Sequence, residues 1–338
     1  MGHDVTLFAT GDSITSAELV PCTRQALRLD PDVRDPVPYY MLMLDRVRRR
    51  ADEFDVLHFH IDAYHFPLFR ETARRTLTTL HGRQDLPDVK ALYAGFPEMP
   101  LVSISDDQRR PIPDANFVAT VHHGLPLDLH GFTAHPRGGY LAFLGRISPE
   151  KGVDRAIAIA RAAGLPLKIA AKIDKVDMDY FHSEIEPLLA LPGVEYIGEI
   201  DERGKARFLG EAMALLFPID WPEPFGLVMI EAMACGTPVL ALRRGSVTEV
   251  LEEGRTGIVV DSVEQAIAAV PQALALDRHA IRRRFEQRFS ARRMAQDYLT
   301  LYARAAAVRP IPAVDEAVAP EYVAVQNPPE ARMVRRFS

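Results

Sequence analysis

Short apolar runs alternate with helically spaced segments along most of the chain. In the first part the runs are Val5–Ala9, Val56–Phe59, Leu77–Leu80, Leu101–Ile104 and Phe117–Val121. In the second they are Tyr140–Leu144, Leu167–Ala171, Val194–Ile197, Ala214–Phe217, Pro238–Leu242 and Ile258–Val260. Tyr40, Met43, Leu44 and Val47 share one helical face and predict a helix over Tyr39–Ala51. Further helices are predicted over Val153–Ala163, Leu227–Ala234 and Val263–Ala275, and one or two over Arg282–Ala307. Strands that alternate with helices form parallel sheets covered on both faces. The fold class expected is therefore α/β, with two doubly wound domains. The segment Gly131–Gly139, GFTAHPRGG, carries no periodicity and marks the boundary. From Arg309 onward five prolines occur with little periodicity, so that tail is expected to be disordered.

Length changes the picture little: 338 residues suit two domains, since single cores stop growing at roughly 250–300. No apolar run approaches the roughly 18–20 residues a membrane helix needs, and Met1–Thr10, interrupted by Asp4, does not read as a signal peptide. A net charge of −6 argues against binding nucleic acid over the whole surface. Cys22 and Cys235 lack the spacing of a zinc site or a disulfide framework, so a cytoplasmic location is the expectation.

The stretch Trp221–Gly236, WPEPFGLVMIEAMACG, holds Glu223 and Glu231 eight apart with a helix starting between them. Pro224 fits a first helical turn, and Phe225, Gly226 and Leu227 would offer free N–H groups to a phosphate. Gly226 would allow close approach of a ligand to the backbone. Glu231, two turns along, could accept bonds from sugar hydroxyls. In LAFLGRISPEKG, Leu141–Gly152, a strand runs into a turn whose Arg146 and Lys151 project at the strand's carboxyl end. Two cations there suit a diphosphate. By itself the stretch also fits a solvated loop with two surface cations.

Together these residues resemble the retaining GT-B glycosyltransferases of family 4. The matching pieces are Gly145-Arg146…Lys151-Gly152, the Glu-x7-Glu pair Glu223 and Glu231, the following Ala-Cys-Gly-Thr-Pro-Val, and Gly245-Ser-Val-Thr-Glu249 with Gly254 and Gly257. The resemblance implies two Rossmann-like domains facing a cleft: residues 1–134 on the acceptor side, 135–290 holding the nucleotide sugar, 291–307 crossing back, and 308–338 a tail. It implies hexose transfer from a nucleoside diphosphate sugar, expected to be UDP-linked, to a hydroxyl acceptor. Neither metal nor cofactor is expected. Arg146, Lys151 and Gly145 would face the diphosphate, and Glu231 the ribose. Glu223 would contact the transferred sugar, with the backbone of Phe225, Gly226 and Leu227 beside it. Asp177-Met-Asp179 is expected to be surface or capping residues rather than a metal motif.

In the N-terminal half, His81 at a strand end is the candidate for positioning near the transferred sugar, and His60 and Asp62 for lining the acceptor side. A metal pair from His58 and His60 is allowed by their shared strand face. The polar residues Ser103, Ser105, Asp106 and Arg110 are also candidates for the cleft, and His122 and His123 precede a strand-end loop. The resemblance implies a strand, a glycine-rich loop and a helix ahead of Gly2–Leu7, so Met1 is expected to be internal to a longer chain or a misassigned start, the alternative being a genuine but impaired short form. Two alternatives stay open: a nucleotide-sugar binder without turnover, and a sugar-nucleotide epimerase. Peripheral membrane contact is left open as well, although the basic run Arg46–Arg50 reads as a solvated helix face.

Overall fold

In the computed structural model, residues 2–307 are described; the expected proline-rich tail, 308–338, lies outside the described residues. The first half contains β1 (Thr6–Thr10), β2 (Glu18–Thr23), α1 (Val37–Arg50), β3 (Leu57–Phe59), α2 (Phe66–Phe69), β4 (Thr76–Thr79), α3 (Pro87–Gly95), β5 (Leu101–Ser103) and β6 (Phe117–Thr120). The second contains β7 (Leu141–Arg146), α4 (Val153–Ala162), β8 (Leu167–Lys172), α5 (Met178–Tyr180), α6 (Glu186–Leu189), β9 (Val194–Gly198), α7 (Glu202–Glu211), β10 (Ala214–Phe217) and α8 (Leu227–Ala234). It continues with β11 (Val239–Leu242), α9 (Val247–Val250), β12 (Gly257–Val260), α10 (Val263–Leu274), α11 (Arg278–Arg288) and α12 (Ala291–Ala306).

The second half is built on a six-stranded parallel sheet in the order β12-β11-β10-β7-β8-β9. The chain winds outward from β7 to β9, returns, and winds the other way from β10. The order therefore reverses between β7 and β10, and a crevice opens there at the strands' carboxyl ends. Alternate strand residues face opposite layers. Leu141, Phe143, Ile169, Leu216 and Leu240 pack under α4 and α10. The smaller Ala142, Ala170 and Ala241 lie on the other face, where α8 and α11 sit close. Helix α8 is buried nearly all round, from Met229 to Ala234, which places Glu231 in the interior and obliges it to find a partner.

The first half has a parallel sheet β3-β4-β5-β6 and a separate parallel pair β1-β2. Among the described residues β1 pairs only with β2 and β3 only with β4. Helix α1 buries Leu44 and Val47, as its periodicity demands. Strand β2 has no counterpart in the sequence expectations, because Pro21 and Cys22 break its apolar pattern.

Met1–Val308 form one compact unit. Two connections run side by side between the halves. Leu125 N–H donates to Phe289 O at 2.8 Å, and Ala291 N–H to Leu125 O at 2.8 Å. A Cβ on Gly124 would overlap the Ser290 carbonyl, so only glycine fits beside it. Helix α12 lies on the first half: Tyr298 and Leu301 pack with Leu77, Val102 and Val121. No helix of the described residues is long and apolar enough to cross a membrane.

Candidate active site

A cavity of about 390 Å³ opens at the reversal point of the six-stranded sheet. Leu144 and Gly145 reach it from the end of β7, and Phe217 from the end of β10. Lys151, Glu223 and the segment Pro224–Val228 complete that side, while His81, Ile104 and His123 close it from the first half. A larger groove of about 530 Å³, lined by Arg137, Tyr140, Lys168 and Arg207 among others, holds none of the motif residues. Volume alone therefore does not choose the site.

Helix α8 begins at Leu227, not at Pro224 as the first-turn reading had it. Gly226 caps it with φ +76°, a left-handed conformation that ends any helical run from the preceding residues. A Cβ there would come 2.8 Å from Met229 Cε and 3.1 Å from Phe217 Cζ. Pro224 and Phe225 consequently belong to a loop, and Phe225 is buried. Gly226, Leu227 and Val228 of the α8 N-terminus still line the cavity.

Glu223 and Lys151 form an ion pair with 12% and 18% of their side chains exposed, so water screens the attraction weakly. Trp221 Nε1–H donates to Glu223 Oε2 at 3.0 Å, and the Lys151 ammonium lies 4.7 Å above the Trp221 ring. Arg83 of the first half stacks over the same ring at 5.8 Å. The Glu223 backbone lies against Gly245, whose φ is +51°, and Ser246 N–H donates to Glu223 O at 3.1 Å. Arg146 is elsewhere: it is 43% exposed, bonds Glu150 at 3.1 Å and Asp174 at 3.3 Å, and does not line the cavity. Glu231 does not line it either; it accepts from Lys205 Nζ at 3.0 Å.

His81 and His123 form the opposite wall, and His60, which does not line the cavity, is bonded to His81. His60 Nδ1 and His81 Nε2 are hydrogen-bonded at 2.8 Å. The His81 and His123 rings stack at 5.4 Å, and His123 meets Phe225 edge-on at 4.9 Å. His60 and His81 are exposed by area, yet burial is the first cause of their depressed basicity. Burial and the neighbouring His81 bring His60 to about 4. Burial, then His81 and His60, bring His123 to about 4. His81 is lowered by burial, opposed by the Asp62 carboxylate. These imidazoles are neutral near pH 7 and can accept or relay a proton. Asp62 has φ +50°, a strained backbone for a residue that is not glycine, next to the site.

The His58–His60 metal pair is not formed. Both His58 nitrogens are taken by hydroxyls, Tyr302 at 2.7 Å and Thr79 at 2.8 Å. Ser103 is buried and bonded to Thr120, and Ser105 accepts from Gln108 N–H, so these serve local structure. Of the surface-or-capping pair, Asp179 is exposed, and Asp177 at the start of α5 makes no capping bond. His123, Trp221 and Lys205 had no assigned role in the sequence reading. Trp221, the single tryptophan, was the one composition signal among them.

Residues 133–290 match the family described as Glycosyl transferases group 1. That segment is a glycosyl transferases group 1 domain. The alpha-maltose-1-phosphate synthase of Mycolicibacterium smegmatis is 28% identical over 186 residues, 49% of this chain and 48% of that protein. The chain spans about half, or less, of the length of the curated relatives it matches. Among solved structures, AviGT4, a glycosyltransferase involved in avilamycin A biosynthesis, has a TM-score of 0.68 at 22% identity, covering 90% of this chain and 86% of that one. The Anabaena protein Alr3699/HepE, solved in complex with UDP and glucose, has a TM-score of 0.65 at 17% identity, covering 84% and 86%. The fold is GT-B, two Rossmann-like halves.

Proposed function

We propose that this chain transfers a hexose from a nucleoside diphosphate sugar, UDP-linked, to a hydroxyl acceptor with retention of configuration. The observation that carries the reading is the composition of the cleft cavity. An ammonium, a carboxylate and a helix N-terminus from the group 1 domain face neutral imidazoles from the other half. Departure of a nucleoside diphosphate concentrates negative charge, and preorganised cations and helix N-termini stabilise it. Lys151 has that role in this reading, joined by Arg146 once a diphosphate draws it from Glu150 and Asp174. Gly145 leaves room beside the strand end. Glu223, oriented by Lys151 and Trp221, accepts hydrogen bonds from sugar hydroxyls, with the backbone of Phe225, Gly226 and Leu227 alongside. Glu231 binds the ribose. His81 positions the sugar, and His60 and Asp62 line the acceptor side of residues 1–134. No metal takes part in the transfer. The UDP and glucose bound in Alr3699/HepE favour a uridine donor here.

Calorimetry with UDP, GDP, ADP and their glucose conjugates tests the reading. UDP and UDP-glucose should bind, and Glu231→Ala should weaken both at least tenfold. Glu223→Ala should lower transfer by about 10²–10³ while UDP affinity changes little. Binding of no nucleotide by the folded chain would refute the proposal. Binding without turnover against a broad acceptor panel would favour a nucleotide-sugar binder.

A further inference from the structure

Outside the cleft, one cluster brings together groups that repel or go unsatisfied without a cation. His130 lies in the connection between the halves, Glu202 opens α7, and Glu231 is on α8. One ligand atom from each lies within 4.8 Å of the other two. His130 is 1% exposed, and neither of its ring nitrogens has a hydrogen bond, although Nε2 is aimed at Glu202 Oε1 at 3.2 Å. Its backbone is pinned by Arg282, which donates to His130 O at 3.0 Å. Lys205 sits between the two carboxylates, 3.0 Å from Glu231 and 3.2 Å from Glu202. The arrangement thus already holds one cation, bound by the carboxylates and ignored by the imidazole.

We propose that His130, Glu202 and Glu231 form a binding site for a divalent first-row transition cation, zinc foremost, for which Lys205 is the built-in competitor. One imidazole nitrogen and two carboxylates, with a fourth position for water, is a donor set zinc accepts. A tetrahedral ion with ligands at about 2.0–2.2 Å spaces them by about 3.3–3.6 Å. His130 and Glu202 stand at nearly that separation, so a modest movement of Glu231 closes the set. Lys205 shares the first turn of α7 with Glu202 and is 26% exposed, so its ammonium can leave toward solvent. Glu202, about half exposed, provides the way in. A divalent ion would replace the single charge of the ammonium and bond the orphaned imidazole. Burial holds His130 below its ordinary basicity, so the ligand is neutral near pH 7.

The ion would also take Glu231. On the proposed function Glu231 holds the donor ribose, so cation and nucleotide would compete. The site itself does not rest on that reading.

Calorimetric zinc titration of the full chain without nucleotide, with cobalt absorption as the spectroscopic readout, tests the proposal. One zinc per chain is expected at this cluster. Lys205→Gln should bind it at least tenfold tighter, because the competitor is gone. Glu202→Gln should bind it at least tenfold more weakly, and this side chain is exposed enough that folding should survive. His130→Gln, with circular dichroism as a folding check, should behave like Glu202→Gln. No saturable binding in Lys205→Gln, or equal affinity in all four proteins, would overturn the site. UDP titrated with zinc present reads the coupling separately. Unchanged UDP affinity beside His130-dependent zinc binding would keep the cation site and remove Glu231 from the ribose.

Discussion

Gly245 shows how closely the site depends on single atoms. Its φ of +51° is strained for any side chain, and an added Cβ would overlap the Glu223 backbone and lie 2.8 Å from Pro222 C. Gly245→Ala should therefore cost about 2–4 kcal/mol and displace Glu223 from Lys151. Urea denaturation measures the first effect, and loss of transfer with nucleotide binding retained reads the second. Glu223 and Glu231 look equivalent in the sequence, yet their surroundings differ. Glu223 has a cation and an indole N–H at a cavity wall, whereas Glu231 is in the interior of α8 with Lys205.

At the scale of elements, His58 within β3 ties that strand to β4 and α12, and the buried His65 ahead of α2 is bonded to β4. His58 binds Tyr302 and Thr79, Thr79 binds Tyr298, and His65 binds Thr78 at 2.8 Å. Burial first, then neighbouring imidazoles, brings His58 to about 3; burial brings His65 to about 3. The unfolded chain binds these protons near pH 6.5, so between about 6.5 and 3 it carries more protons than the folded chain. Stability is then full above about pH 6.5 and declines as pH falls through that window. Thermal melts from pH 4 to 8 should show the decline. His58→Asn should make it shallower, apart from any uniform drop in melting temperature. A slope identical to the wild type would remove His58 from the account. Element types were largely legible. The helix Leu227–Ala234 and the strand Ala214–Phe217 appear as the periodicity has them. Strand β2 was not legible, because its pairing with β1 outweighs a sequence that contains proline.

At the scale of the molecule, the halves are joined across the cleft by Glu249 of α9. Its carboxylate accepts from Asp106 N–H and Asp107 N–H, both at 2.7 Å, and meets His122 at 3.4 Å. Burial alone would raise its basicity, but the bonds from His122, Asp106 and Asp107 outweigh burial and hold Glu249 ionised to lower pH. Glu249→Ala should leave those two amides without their acceptor. Hydrogen exchange around residues 105–108 should rise at least tenfold while α8 and β10 keep their protection. Unchanged exchange would show that this link carries no closure energy.

Periodicity, glycine punctuation and the spacing of Glu223, Glu231, Arg146 and Lys151 determined the α/β alternation, the helix after the motif loop and the family resemblance. Those signals are local: a few consecutive residues specify a strand face, a helix stripe or a turn. The tertiary structure alone decided that Lys151 meets Glu223 across 72 positions, that Glu249 caps a loop 142 positions away, and that His60, His81 and His123 come into contact in turn. It also decided that Lys205 lies between Glu202 and Glu231 with His130 beside them. Such neighbours arise from the parallel strand order and from two connections running side by side. Packing and burial create those pairings, and no spacing along the chain encodes them.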